Sequence, residues 1–466
     1  MLPMAGGQES LSECRALSDI LIASKKALEK AWRHGDPRAM REGTPSAMHA
    51  SDKPIRSRRA VASSETAREI NRDILLYTIH LHQPVSRADL ARLTGLQPST
   101  VSVITEQLID EGWVVPGALG RLPRGRRPTY MALNDRHVTL AVDLRPGRAS
   151  LAVVDINGKI LDRKAVSFDL SAGSTAAEAN TAIANIAQAG RALKAAFCDR
   201  IFEGIGVSVS GRVDQKTHRL LFSPNAPWSQ IDLHRELQRV FEDPIEMENA
   251  ANACLFSERW FGHFRDVANM LVVSVSEGIG TGLLVDGRVA RGRDDMAGEF
   301  GHMTLDESGP RCGCGNLGCW EVFASNRAGL RYYRELAPES SIGTFQELLD
   351  LALAGDLRAL RAIDKMTTYL ARGLTMLVAG LSPEVMIVVG DCTALWPRIR
   401  PQIESQLIAK SFTPHTPLVV AATDGAAARL RGAAALVFHR VLFEQADFNS
   451  RPVQEGVQAP VEPVQA

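Results

Sequence analysis

"HVTLAVDLRPGRASLAVVDINGKILDRKAV", residues 137–166, is the stretch on which the fold turns. "HVTLAVDL" and "ASLAVVDI" are short, nearly continuous apolar runs, the pattern of strands buried on both faces. "RPGR" between them is a tight turn, and "GKILDRKAV" continues as a third strand. Helical "TAAEANTAIANIAQAGRALKAAF" (175–197) then precedes another buried strand, "IFEGIGVSVS" (201–210). A second half repeats the theme with "MLVVSVS" (270–276), "TGLLVDGRVA" (281–290), a helical region over 322–381, "EVMIVVG" (384–390) and "PLVVAAT" (417–423). Strands alternating with long helices predict a layered α/β domain over residues 135–445.

Upstream, residues 63–134 read as short helices. "REINRDILLYTIHLHQ" places Ile70, Ile74, Tyr77, Ile79 and Leu81 near one broad apolar face. "SRADLARLTGL" opens on Ser86 with Asp89 three residues on and stops at Gly95. "QPSTVSVITEQLIDEG" puts Pro98 in the first helical position and Val101, Ile104, Leu108 and Ile109 on a buried side. The three-residue link between these two helices is helix-turn-helix spacing. Gln97, Ser99, Thr100, Ser102, Thr105 and Gln107 are small or amide side chains suited to base edges and phosphates in a major groove. That helix has no Lys or Arg, so phosphate attraction falls to Arg87 and Arg92 before it. Arg121, Arg124, Arg126 and Arg127 add to it from the hairpin tip that follows. "RGRRP" suits a narrow minor groove. The alternative is a three-helix protein-interaction module with a solvated basic loop.

Formal net charge is zero, so any affinity for DNA must come from such a local patch. Residues 1–62 and 446–466 lack sustained periodicity and are expected to be mostly disordered. No apolar run reaches the roughly 20 residues that span a bilayer and no secretory leader is apparent, so the expected location is the cytoplasm, with no membrane partner.

"CGCGNLGC" places Cys312, Cys314 and Cys319 within eight residues, with nine residues between His302 and Cys312. Three thiolates and an imidazole make a closed tetrahedral Zn2+ site of the structural type, which leaves no open position for catalysis. Coincidental cysteines or one labile disulfide is the alternative.

"AGEFGHM…CGCGNLGCWE" resembles the signature of the ROK family (repressors, open reading frames, kinases). "GIGVSVSGRVD…SPNAPW", "MENAAN" and "SEGIGTGLLVDGRV" match that family in the same order, over about 66–440. The resemblance implies a two-lobed, actin-like, hexokinase-type α/β domain around a sugar cleft, preceded by the winged helix-turn-helix of the repressor branch. It assigns sugar binding to Asn225, Asn249, Glu299, His302 and Glu321, with His302 shared between zinc and sugar.

Two departures stand against kinase chemistry. Kinases of the family read N-D-A-N where this chain has Asn249-Ala250-Ala251-Asn252, and a methyl group cannot take a proton from a sugar hydroxyl. Their first phosphate loop is glycine-rich, whereas the matching stretch here is Asp143-Leu144-Arg145-Pro146-Gly147-Arg148. The second phosphate loop corresponds to Gly278-Ile279-Gly280-Thr281-Gly282. The expectation is a homodimeric or homotetrameric repressor that binds operator DNA and responds to a sugar or sugar derivative. A bifunctional kinase and a ligand-independent regulator are the alternatives.

Overall fold

A computed structural model describes residues 64–119, 129–170, 173–223, 228, 231–410, 416–422, 424–425 and 427–443. Both terminal segments, Asn225, and the tip carrying Arg121, Arg124, Arg126 and Arg127 lie outside the described residues.

The first part runs α1 (Ser64–His82), β1 (Val85–Ser86), α2 (Arg87–Thr94), α3 (Pro98–Asp110), β2 (Val114–Leu119) and β3 (Thr129–Leu133). Its strands form a small antiparallel sheet in the order β1-β3-β2. Ser86 caps α2: its Oγ accepts from the Asp89 backbone N–H at 3.2 Å and donates to Asp89 Oδ2 at 2.7 Å. Gly95 ends that helix at φ 70°, and α3 opens on Pro98 after Gln97. On α1 the fully buried side chains are Leu75, Leu76 and Ile79, whereas Ile70, nearer the start of the helix, is half exposed.

The first lobe contains β4 (His137–Arg145), β5 (Arg148–Asp155), β6 (Ile160–Ser167), α4 (Ala176–Ala196), β7 (Ile201–Val209), β8 (Arg212–Asp214), β9 (Arg219–Phe222), α5 (Leu233–Val240) and β10 (Ile245–Asn249). After α6 (Ala250–Phe261) comes the second lobe: β11 (Met270–Val275), β12 (Ile279–Val285), β13 (Arg288–Val289), α7 (Trp320–Ala324), α8 (Asn326–Leu336), α9 (Phe345–Leu353), α10 (Leu357–Leu381), β14 (Val385–Val389), α11 (Trp396–Lys410) and β15 (Leu418–Ala421). The chain closes with α12 (Ala428–Leu442).

The two lobes repeat one topology. In β10-β7-β4-β5-β6 and in β15-β14-β11-β12-β13, three parallel strands are extended by two antiparallel ones. Between the sheets lie α6 and α12, pressed together until backbone meets backbone. A Cβ on Gly432 of α12 would fall 1.8 Å from the Ala253 carbonyl oxygen, and one on Gly206 of β7 would fall 1.9 Å from that of Ala433. Only glycine permits such approaches.

The described residues from Ser64 onward belong to one compact unit, and one of its three hydrophobic core clusters runs from the leading helices into the α/β domain. Leu75, Leu76 and Ile79 of α1 belong to the same cluster as Phe256, Trp260, Phe438 and Phe443. His80 lies over Trp260 with ring centroids 4.5 Å apart, and its Nε2 is 2.9 Å from the Trp260 carbonyl oxygen. Tyr77 meets Phe443 edge-on at 6.2 Å. The leading helices are therefore docked on the C-terminal ends of α6 and α12.

Candidate functional site

The cleft between the lobes gathers residues from β10, α6, β12, the 299–302 turn and α12. β10 delivers Asn249, which caps α6: its Oδ1 accepts from Ala251 N–H at 2.8 Å and its Nδ2 donates to the Gly211 carbonyl at 2.6 Å. Both ends of this amide are already bonded, so the described contacts of Asn249 are structural, and it reaches the cleft as one element of its wall. Ala250 is the first residue of α6 and presents its methyl group there, with Glu248 beside it. Glu248 is buried and tied to Arg291 Nη2 at 2.8 Å.

The stretch Gly278–Gly282 is not a free phosphate-cradling loop. Ile279 onward is strand β12, paired with β11 along its length. Its glycines have a packing reason: a Cβ on Gly282 would fall 2.8 Å from the Ala251 carbonyl oxygen, and one on Gly278 would fall 2.4 Å from Glu321 Oε2.

At the β4–β5 turn Arg145 folds back onto Asp143, Nε to Oδ2 at 2.8 Å. Burial pulls the guanidinium's pKa down, but the adjacent Asp143 charge outweighs it and holds Arg145 above the ordinary arginine range. Arg429 of α12 enters from the other side. It lies 3.6 Å from Asp143 Oδ1 and donates to the hydroxyls of Ser210 at 3.4 Å, Ser274 at 3.3 Å and Ser276 at 3.0 Å. One buried guanidinium thereby joins both lobes. Sequence reasoning missed Arg429; its signal was a lone arginine on the buried face of an Ala-rich helix.

His302, Cys312, Cys314 and Cys319 converge, with one ligand atom from each lying within 4.8 Å of the others. The loop between them is closed by bridges pairing Thr304 with Cys319 and Arg311 with Leu317. Cys312 Sγ is 3.5 Å from His302 Nδ1, and Cys314 Sγ is 3.7 Å from Cys319 Sγ. Burial raises the Cys312 thiol above its usual range and pushes Cys319 up to about 11. Deprotonated, thiols gathered so closely would repel one another without a cation between them, and the cluster could hold a metal ion. The other ring nitrogen, Nε2, faces Glu299 Oε2 at 3.7 Å, while Glu321 Oε1 accepts from Cys312 Sγ at 2.8 Å. Glu299, His302 and Glu321 thus meet in the cleft, within the same pocket as Asn249.

In the leading helices, Gln97, Ser99 and Ser102 are exposed and Thr100 is half-buried. Thr105 departs from the expected outer face. It is fully buried, donating to the Val101 carbonyl at 2.7 Å and accepting from Arg87 Nε at 2.9 Å, because it follows Val101 by four residues onto the apolar side. Arg87 also pairs with Glu106 at 2.6 Å, so its charge is partly spent within the fold. Val103, unremarked in the sequence, is 60% exposed beside Ser102.

With this geometry in place, comparison with known proteins gives the family. The ROK family profile matches residues 139–440, and the chain belongs to the ROK family. A xylose repressor from Bacillus spizizenii is 31% identical over 360 residues, covering 76% of this chain and 90% of that protein. A ROK family glucokinase from Streptomyces griseus, solved with glucose and AMPPNP, is 28% identical with a TM-score of 0.58, covering 64% of this chain and 98% of that one. A ROK family transcriptional regulator homologous to the E. coli MLC protein superposes with a TM-score of 0.63 at 24% identity, over 81% of this chain and 99% of that one. Among the described residues no helix is long and apolar enough to cross a membrane.

Proposed function

We propose that this protein is a sugar-responsive transcriptional repressor whose kinase-like domain senses a ligand without phosphorylating it. The observation that carries the reading is Ala250. The cleft keeps Glu299, His302 and Glu321 as hydrogen-bonding groups, yet the position from which a general base would act holds a methyl group. The Asp143–Arg145–Arg429 network adds to this, since it fills the turn where nucleotide phosphates would need open backbone N–H groups. Similarity to a xylose repressor over most of both chains points the same way.

Residues 63–134 form the DNA-binding part in this reading. Gln97, Ser99, Thr100 and Ser102 face the major groove, and Arg124, Arg126 and Arg127 of the hairpin tip reach phosphates or the minor groove. Arg87 contributes once its pair with Glu106 opens. Two such parts are needed to read paired half-sites, so the working unit is a homodimer or homotetramer on double-stranded operator DNA.

The metal is Zn2+, held by His302 Nδ1 and the three thiolates. Zn–S bonds of about 2.3 Å in a tetrahedron separate sulfurs by about 3.8 Å, which the Cys314–Cys319 spacing of 3.7 Å fits. The ion would fix the imidazole so that Nε2 is aimed at a ligand hydroxyl, beside Glu299 and with Asn225 and Asn249 completing the sugar site. Sugar-driven movement of the lobes would travel along α6 and α12, which begin at the cleft and end under α1.

The test is a titration of a selected operator duplex by the full chain, with and without saturating sugar, alongside an ADP-release assay. A change in operator affinity with no ADP formed is the expected outcome. Unchanged affinity with every sugar that binds would refute the sensor reading, and sustained ADP release would refute the loss of kinase chemistry.

A further inference from the structure

A second cavity, of about 330 Å3, lies away from the cleft, where the C-terminal end of α6 meets the β5–β6 turn and α12. Its volume falls at the lower end of the range of small-molecule pockets, about 300–1,000 Å3. On its wall is Glu258, a residue only 6% exposed whose carboxyl has no hydrogen-bond donor among the described residues. Gly262 makes room for it: a Cβ there would fall 2.4 Å from Glu258 Oε2. Its carboxyl oxygens open on the cavity with no donor set against them, an acceptor left for a ligand to meet. Burial pushes its pKa up to about 6, partly offset by Arg431.

The rest of the wall is chemically mixed. Ser257 is buried beside Glu258, and neither its hydroxyl nor the side chains of Lys159 and His263 has a hydrogen-bond partner among the described residues. Arg431 crosses the back, held by the Gly158 carbonyl at 2.9 Å and by Asp424 at 3.7 Å. The Phe261 ring completes the lining. Fixed acceptors and donors of both charges beside an aromatic face match a ligand that both donates and accepts around its whole edge while showing C–H groups to a ring. A single anion would face the repulsion of Glu258 and Asp424, and a single cation that of Lys159 and Arg431.

We propose that this cavity is a second small-molecule site, built for a polyhydroxylated ligand such as a sugar or sugar alcohol. It adjoins the docking of the leading helices. Asn157, also on its wall, accepts from Gln83 Nε2 at 2.8 Å, and Trp260, whose carbonyl meets His80, lies two residues beyond Glu258. A ligand there touches the joint directly, without passing through the cleft.

The experiment is isothermal titration of the full chain with D-xylose, D-glucose and xylitol in a Glu299→Ala background, which disables the cleft. At least one compound should bind with one site per chain, and adding Glu258→Gln should weaken that event at least about tenfold. Lys159→Ala, on an exposed side chain, provides a second variant with little risk to folding and should weaken it as well. No binding of any of the three to Glu299→Ala protein that melts like the wild type would overturn the proposal. Binding that survives both second-site substitutions unchanged would overturn it equally. A difference between wild type and Glu299→Ala reports on the cleft alone, so the two sites stand or fall separately.

Discussion

Lowering the pH from 7.5 to 5.5 should loosen this fold through His80, and the size of the effect can be worked from its surroundings. Burial, with Arg265 adding to it, pushes the His80 pKa down to about 4 from 6.5. Between those values the unfolded chain takes up a proton that the folded chain refuses. Stability therefore rises with pH in this window and falls as the pH drops. For an unfolded pKa of 6.5 the loss between pH 7.5 and 5.5 is about 1.4 kcal/mol, growing to about 3 kcal/mol once the pH passes below 4. The assay is urea denaturation at pH 7.5, 6.5 and 5.5, comparing wild type with His80→Gln, an amide that can still donate to the Trp260 carbonyl but cannot titrate. Between the two end points the variant should lose about 1.4 kcal/mol less than the wild type. Equal losses would mean that His80 is charged or hydrated in the folded state, and the docking of α1 on Trp260 would then be wrong. His439, pushed down to about 3 by burial and by Arg259, contributes in the same direction and is common to both proteins.

Three further outcomes are expected. Ala250→Asp alone should leave ATP-dependent sugar phosphorylation undetectable by ADP release, because Arg145 and Arg429 remain locked on Asp143; turnover restored by that single change would contradict the account of the phosphate side. Cys314→Ser should lower the metal content below one zinc per chain by atomic absorption and lower the melting temperature, and a full complement in the variant would remove Cys314 from the ligand set. Thr105→Val should cost about 1–2 kcal/mol of stability by leaving Arg87 Nε unpaired, with operator affinity little changed, whereas Ser102→Tyr should abolish operator binding in a protein of normal stability; the reverse pattern would reverse which of the two faces DNA.

Both sheets were legible because their central strands are buried on two faces and read as unbroken apolar runs, as in "HVTLAVDL" and "VMIVV". β10 was not, since Glu248 interrupts "IEMEN" and is tolerated only through Arg291, a partner that no local pattern reveals. The same holds for Arg429, whose Asp143 lies at the far end of the chain. Thr105 was misjudged for a different reason: its spacing from Val101 and Leu108 already placed it inward, but its hydroxyl suggested the outer face. The four side chains of the His302–Cys312–Cys314–Cys319 cluster stand close together in sequence, so their convergence could be anticipated. Which ring nitrogen of His302 turns toward the thiols could not, because that depends on how the 299–302 turn sits against the loop.

The shared core under α1 bears on how such proteins can diverge and be re-engineered. A head and a sensor joined by a slack tether can be exchanged between relatives by cutting in the tether. Here a cut near residue 134 would strip Leu75, Leu76 and Ile79 from Trp260 and Phe443, and an incoming head would have to present a matching surface. Chimeras that carry the partner surface on α1 along with the reading helix should stay coupled, while those that swap the reading helix alone keep the native joint. On the proposed reading, changes in operator choice are thus cheap within α3 and expensive across the whole head, which channels variation toward a few exposed side chains.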